Sequence, residues 1–200
     1  MIARLRAGPY TFAEFLELIP EDQKADLIEG NILMASPENI EHNDLLFWLG
    51  KVLGIYIDER GLGKLSVNKV AYRLTDDTAP EPDLAFLRTE RLGLRKRGYV
   101  DGPPDVAIEI VSPDSVERDY ELKRRHYEAA GVSEYWIIDP EERRATLLVR
   151  AGDHFEPAPP AADVFESRAI PGFRLDLRWL WQRPLPSPLA TVQSLLRAAS

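Results

Sequence analysis

Three charged side chains sit in apolar stretches of the sequence, and their types belong to one chemistry. Glu109 interrupts the run Val106-Ala107-Ile108-Glu109-Ile110-Val111. An ionised carboxylate inside a buried segment is costly unless a cation or several donors meet it. Asp83 opens the apolar stretch Asp83-Leu84-Ala85-Phe86-Leu87, directly after Pro82. Lys123 is spaced with Val116, Tyr120, Tyr127 and Ala130 by 4, 3, 4 and 3 residues, which puts all five on one helix face. Such a stripe packs on a sheet and would point the lysine inward, towards the carboxylates. Two carboxylates on neighbouring strand ends and an inward lysine are the parts of metal-assisted hydrolysis. Mg²⁺, or Mn²⁺ in its place, takes one or two carboxylates and leaves its other positions to water and phosphate. The ion acidifies bound water and balances charge on the phosphate, and a lysine can orient the water or stabilise the transition state. Each residue also has a plain structural role open to it. A strand-end Asp can be a turn residue, Glu109 can be half of an ion pair with Lys123, and the lysine can reach outward to solvent.

Other residues bear on the same chemistry. His42, near the start of a long helix, could contact phosphate or serve as an auxiliary acid or base; a helix-start hydrogen bond is its simpler role. Arg88, Arg91, Arg95, Lys96 and Arg97 crowd one connection that could track a nucleic-acid backbone, or be a solvated loop. Composition narrows the options. Cysteine is absent, which removes disulfides, thiolate zinc sites, iron–sulfur clusters and cysteine nucleophiles together. Only three histidines occur, so carboxylate oxygens are the main ligands left for a metal. The net charge of −8 excludes a uniformly basic shell but not a local basic patch. No stretch approaches the roughly 20 apolar residues of a membrane span, and the first nine residues do not form a signal peptide. A cytoplasmic protein is the expectation.

The elements that must position these side chains follow from pattern and punctuation. Thr11–Ile19 reads as a short helix, with Thr11 as cap, Glu14 three residues on and Pro20 behind it. Asp26–Ala35 reads as a hairpin turning at Glu29-Gly30-Asn31. A long helix is expected from Ser36 as cap and Pro37 as first helical residue to about Arg60, stopped by Gly61-Leu62-Gly63. Extended segments follow at Leu65–Leu74 and Asp83–Leu87, and the near-continuous apolar run Asp105–Val111 suits a central strand. Asp114 or Ser115 can cap the next helix, which Gly131 ends. Strands are expected at Glu134–Ile138 and Ala145–Arg150, then a Pro-rich, loop-rich tail and a last amphipathic helix over Pro188–Ala199. The whole is an α/β chain.

Several motifs together resemble one family. These are Pro82-Asp83, then Ile108-Glu109-Ile110-Val111-Ser112-Pro113, Lys123-x-x-x-Tyr127 and Gly131-Val132-Ser133-Glu134-Tyr135-Trp136-Ile137-Ile138-Asp139-Pro140. Asp26-Leu27-Ile28-Glu29-Gly30 with Ser36-Pro37 and His42 matches its N-terminal signature, and Ile170-Pro171-Gly172-Phe173 with Leu175-Asp176-Leu177 its closing segment. The chain thereby resembles, from Tyr10 to Leu180, the bacterial restriction-endonuclease-like family of the PD-(D/E)XK nuclease superfamily. The resemblance implies a restriction-endonuclease-like core, a central mixed β-sheet flanked by helices. It implies one nuclease-like domain over 1–180, with 181–200 as a Pro-rich extension. It also implies metal ligation by Asp83, Glu109 and the backbone carbonyl of Ile110. The superfamily's lysine normally stands two residues after the second carboxylate, where this chain has Val111; in this family the role moves to the following helix, at the position of Lys123. Where the family more often has Glu, this chain has Asp26, and Glu29 is the nearby acidic substitute.

The expected function is a Mg²⁺- or Mn²⁺-dependent endonuclease acting on DNA, with Asp83, Glu109 and Lys123 as its catalytic set. Arg88 to Arg97 would engage the DNA backbone, and a homodimer is expected from the apolar C-terminal helix and the family's habit. A competing reading is an inactive nucleic-acid-binding or oligomerising module on the same fold, motivated by Val111 and the acidic total charge. A carboxylate-pair glycosidase lacks the stacking aromatics it would need.

Overall fold

The apolar run around Glu109 becomes a strand buried along its whole length, and the sheet is built outward from it. The computed structural model describes residues 8–20, 23–36, 39–158 and 160–198. In chain order, α1 (Phe12–Leu18) leads to the hairpin β1 (Ala25–Ile28) and β2 (Asn31–Met34), then α2 (Ile40–Glu59). Next come β3 (Gly63–Val67), β4 (Ala71–Tyr72), β5 (Leu84–Arg88), a 3₁₀ turn (Thr89–Leu94), β6 (Tyr99–Val100) and β7 (Val106–Ile110). A π-helical turn (Arg118–Lys123) runs into α3 (Arg124–Ala130), followed by β8 (Glu134–Asp139), β9 (Arg144–Ala151) and β10 (His154–Pro157). The tail holds β11 (Val164–Glu166), β12 (Arg174–Asp176), a 3₁₀ turn (Leu177–Trp181) and α4 (Pro188–Ala198).

Six strands form the main sheet in the order β10-β9-β8-β7-β5-β3. Only β7 and β8 run parallel, so the sheet is mixed. A parallel pair needs a crossover, and the helical segment ending in α3 supplies it. α2 covers one face, where Leu45, Leu49, Val52 and Tyr56 join Leu84, Phe86, Ile108 and Trp136 in one core. The other face buries Ala107, Tyr127, Tyr135, Ile137 and Leu148. α4 packs on α2 and adds Val192 and Leu195 to the first core, so the C-terminal helix is docked on the sheet's covering layer. Among the described residues no helix is long and apolar enough to cross a membrane.

Local chemistry explains most boundaries. Thr11 caps α1 in a full capping box with Glu14. Glu29 and Gly30 both have positive φ, 50° and 72°, the backbone of a tight hairpin turn whose twist matches the strands. Gly131 ends α3 in the left-handed conformation at φ 86°. Two expectations need correction. α2 begins at Ile40 rather than beside Ser36, because the Asn39 carboxamide accepts the His42 amide at 2.8 Å and caps the helix. Pro37, expected in its first turn, lies outside the described residues, as does Ala199, the expected end of the last helix. The segment 65–74 is not one strand. Asn68 and Lys69 at φ 45° and 50° turn the chain between β3 and β4.

Candidate active site

The register of two strands brings the carboxylates together. β5 and β7 are antiparallel with Leu84 opposite Ile108, so the next pair in register is Asp83 opposite Glu109. Directly opposed residues share a face. Here it is the face on which Ala107 and Tyr127 pack. Asp83 is then fixed by three partners. Its Oδ2 accepts the Ile110 amide at 2.7 Å and lies 3.4 Å from His42 Nε2, while Oδ1 carries the Lys24 ammonium. Lys24 also reaches Asn68 Oδ1 at 3.4 Å. Burial favours the neutral acid, but Lys24 and His42 overcome it and hold Asp83 well below the usual carboxylate range.

The lysine arrives from the crossover helix, by a different geometry from the expected stripe. Val116 is exposed, whereas Ser115, Asp119, Lys123 and Tyr127 are buried. These recur every fourth residue. An α-helix of about 3.6 residues per turn would let such a row drift around its surface. The π turn over Arg118–Lys123 is wider, and the wider turn keeps the row on one face. Lys123 Nζ is thereby carried to 3.0 Å from Glu109 Oε1, 3.1 Å from Asp26 Oδ2 and 3.6 Å from Asp119 Oδ1. Burial would lower its pKa, but Asp26, Glu109 and Asp119 outweigh that, so it stays an ammonium. One ammonium shared among three carboxylates cannot fully compensate any of them. Burial pushes Glu109 up to about 8, Lys123 offsets only part of that, and Asp119 and Asp83 add to the rise. Tyr127 donates its hydroxyl to Glu109 Oε1 at 3.1 Å, and burial raises that phenol well above 10.0.

Asp26 closes the cluster from the N-terminal hairpin. Its Oδ1 accepts the Glu81 amide at 2.8 Å, and its Oδ2 meets Lys123 and, at 3.4 Å, Arg118 Nε. Asp119 accepts the Ser115 hydroxyl at 2.5 Å, and its own backbone carbonyl accepts the Tyr135 hydroxyl at 2.8 Å. Around these groups lies a cavity of about 30 Å³, lined among others by Lys24, Ser36, His42, Asp83, Glu109 and Lys123. That is room for one ion or a water or two.

The donor set decides what ion fits. No group of three or more His, Cys, Asp or Glu residues is arranged as a ligand cage among the described residues. Three carboxylates, Asp83, Glu109 and Asp119, line the cavity, Glu109 makes its hydrogen bonds through Oε1, and the Lys24 ammonium already stands as a cation on Asp83. This suits a hard cation that completes its shell with water and phosphate, and does not suit zinc.

Of the residues singled out from sequence, Asp83, Glu109, Lys123, Ile110 and His42 converge on this cavity. Ile110 touches Asp83 through its amide. Glu29 does not join them. It stays at the exposed hairpin tip, 3.3 Å from His126 Nε2 and 3.8 Å from Arg125 Nη2, and the buried acid from that hairpin is Asp26 itself. Arg88 and Arg91 bind buried Asp105. Arg88 donates its amide at 2.9 Å, and Arg91 Nη1 lies 3.0 Å from Oδ1. Arg95, Lys96 and Arg97 are exposed on the same connection. Sequence reading missed Lys24, Arg118 and Asp119. Asp119 carried one signal, its place four residues before Lys123; Lys24 carried none.

A model of the Uma2 family, described as "Putative restriction endonuclease", matches residues 12–178. The chain belongs to this family. A crystal structure described as "a putative nuclease belonging to DUF820 from Anabaena variabilis ATCC 29413" is 22% identical to this Uma2-family chain. The match covers 86% of this chain and 98% of that one, with a TM-score of 0.71. At that identity the likeness establishes the fold, a mixed sheet flanked by helices. No curated protein matches this Uma2-family sequence.

Proposed function

We propose that the chain is a divalent-metal-dependent endonuclease that hydrolyses DNA phosphodiester bonds. The observation that carries this reading is that Asp83 and Glu109, from adjacent strands, border one ion-sized cavity backed by the buried Lys123. Asp83 and Glu109, with the Ile110 carbonyl, would hold Mg²⁺ or Mn²⁺, which when bound acidifies a water and balances charge on the phosphate. The chain's own residues supply the rest. Lys123 and Tyr127 both bind Glu109 Oε1, which fixes the carboxylate and turns its other oxygen to the cavity. His42 Nε2, beside Asp83, is placed to give or take a proton. Arg118 and Lys24 line the cavity and bring positive charge to an approaching phosphate. The exposed Arg95, Lys96 and Arg97 are the better candidates for backbone contact, since Arg88 and Arg91 are engaged with Asp105.

The test is cleavage of supercoiled plasmid with Mg²⁺ or Mn²⁺ by the wild type, Asp83→Asn and Glu109→Gln. Both variants should lose cleavage while keeping wild-type circular dichroism. Equal cleavage by all three would end this assignment. The alternative, an inactive DNA-binding module, is favoured by one observation: the Lys24 ammonium already neutralises Asp83. Retention of DNA without cleavage under any divalent ion would select that reading.

A further inference from the structure

The cation on Asp83 belongs to the chain itself. Lys24 precedes β1, and its ammonium sits on Asp83 Oδ1 with Asn68 Oδ1 at 3.4 Å as a second acceptor. Asn68 is itself tied to Asp83, donating its amide to the Asp83 carbonyl at 2.9 Å. The two lysines of the site differ in freedom. Lys123 is 2% exposed and held by three carboxylates, whereas Lys24 keeps 15% of its side chain in contact with solvent. Of these two lysines, Lys24 alone has a path out.

Charge counting gives that path a use. Three cations, Lys24, Arg118 and Lys123, face four carboxylates, Asp26, Asp83, Glu109 and Asp119. In the charged forms that a bound cation favours, these seven groups carry one net negative charge. Exchanging the single charge of Lys24 for the two of a divalent ion closes that deficit. A divalent ion added with Lys24 still in place would overshoot it, and two cations would then compete for Asp83 Oδ1.

We propose that Lys24 is a built-in counter-cation, which occupies the ion position on Asp83 in the metal-free site and is displaced when a divalent ion binds. The inference rests on the metal-dependent reading above. It adds that metal binding is an exchange of ions, in which the released ammonium swings to the cavity mouth where a phosphodiester would approach. Lys24 is thus a positioning residue that holds Asp83 in its ligating rotamer until the ion arrives.

The experiment is calorimetric titration of Mn²⁺ into the full chain as wild type, Lys24→Met, Lys24→Arg and Asp83→Asn. Lys24→Met should bind Mn²⁺ at least about tenfold more tightly than wild type, because a competing charge within a few ångströms is gone. Lys24→Arg should stay within about twofold of wild type, since its charge remains. A second measurement needs no substitution: in ¹⁵N-lysine-labelled wild type, Mg²⁺ should move the Lys24 ammonium resonance towards that of solvated lysine and leave Lys123 unmoved. Equal or weaker binding by Lys24→Met, with Asp83→Asn abolishing binding, overturns the exchange and leaves the endonuclease reading standing. Should Lys24→Met fail to fold, a Lys24 resonance unmoved by saturating Mg²⁺ overturns it equally. Absence of binding by every protein overturns both.

Discussion

Replacing Lys123 by Met removes one charge and keeps most of the stem that packs beside Tyr127, so the effect isolates the ammonium. In the wild type Nζ meets Asp26, Glu109 and Asp119 at 3.0 to 3.6 Å, with 2% of the side chain exposed. Breaking a buried pair by deleting one partner costs about 3–5 kcal/mol, because an uncompensated charge is left behind. Three carboxylates are stranded here, which argues for the upper end. Arg118, 3.4 Å from Asp26 and 4.0 Å from Asp119, offsets part of the loss. We expect a loss of about 4 kcal/mol at pH 8. For a chain of this length that corresponds to roughly 8–16 °C in Tm.

The same loss should depend on pH with a defined sign. Burial already holds Glu109 and Asp119 above their unfolded values, and losing the ammonium that opposes it raises both further. Such a group contributes stability that is fully present below its unfolded pKa and lost as pH rises through the folded one. The variant should therefore recover towards the wild type on acidification, by about 1.4 kcal/mol per pH unit for each additional proton it holds. Urea unfolding at pH 5.5 and pH 8, followed through buried Trp136, measures both numbers. A gap under about 1 kcal/mol at pH 8, or one that widens in acid, refutes the reasoning. Adding Asp26→Asn to the variant should restore at least about 1 kcal/mol, because one stranded charge disappears.

Three more outcomes follow from buried acids elsewhere. Asp105→Ala should cost about 2–4 kcal/mol in urea unfolding, since it strands the Arg88 amide and releases Arg91 from the β5–β7 connection. Glu134→Ala should cost about 3–5 kcal/mol, because Trp136 Nε1, the Ser167 hydroxyl and the Arg168 and Ala169 amides all donate to that carboxylate. Burial pushes Glu81 up to about 7. Its contribution is therefore intact below pH ~4.5 and lost as pH rises through about 7, to roughly 3 kcal/mol. Glu81→Gln should flatten that slope, and an unchanged stability–pH curve would show that the shift is absent.

What was legible in the sequence was the conflict between charge and context. Asp83, Glu109 and Lys123 stood out because each opens or interrupts an apolar pattern, and all three reach one cavity. The strands that carry the carboxylates were legible for the same reason, as apolar runs with clear ends. The row on the crossover helix was misplaced because periodicity assumes about 3.6 residues per turn, and the π turn violates that locally. Lys24 carried no local signal of its role, and Asp26 was marked only by its place in the N-terminal signature. They come to the site only because the hairpin docks through the Leu27–Ala79 bridge, a contact 52 residues apart in sequence. The basic stretch misled in a different way. Two of its arginines answer Asp105, a residue that in sequence looks like nothing more than the start of a strand.

The sheet contains its own control for what separates a structural buried acid from a functional one. Glu134 and Glu109 lie on adjacent parallel strands, and both are at most 2% exposed. Glu109 interrupts an apolar run and Glu134 opens one, so each sets a charge against an apolar strand. Glu134 accepts from four donors divided over its two oxygens, with no ammonium or guanidinium among them. Such a group is saturated, and a metal would have to break an existing hydrogen bond to reach it. Glu109 takes Lys123 and Tyr127 on one oxygen and turns to the cavity with the other, at the cost of a pKa pushed up to about 8. A fold selected only for stability has no reason to leave that valence open beside Asp83, where a donor from Ser, Asn or a backbone amide would have closed it. The open oxygen, rather than burial or charge, is the feature on which the proposed ligand role of Glu109 rests, and Glu134 lacks it.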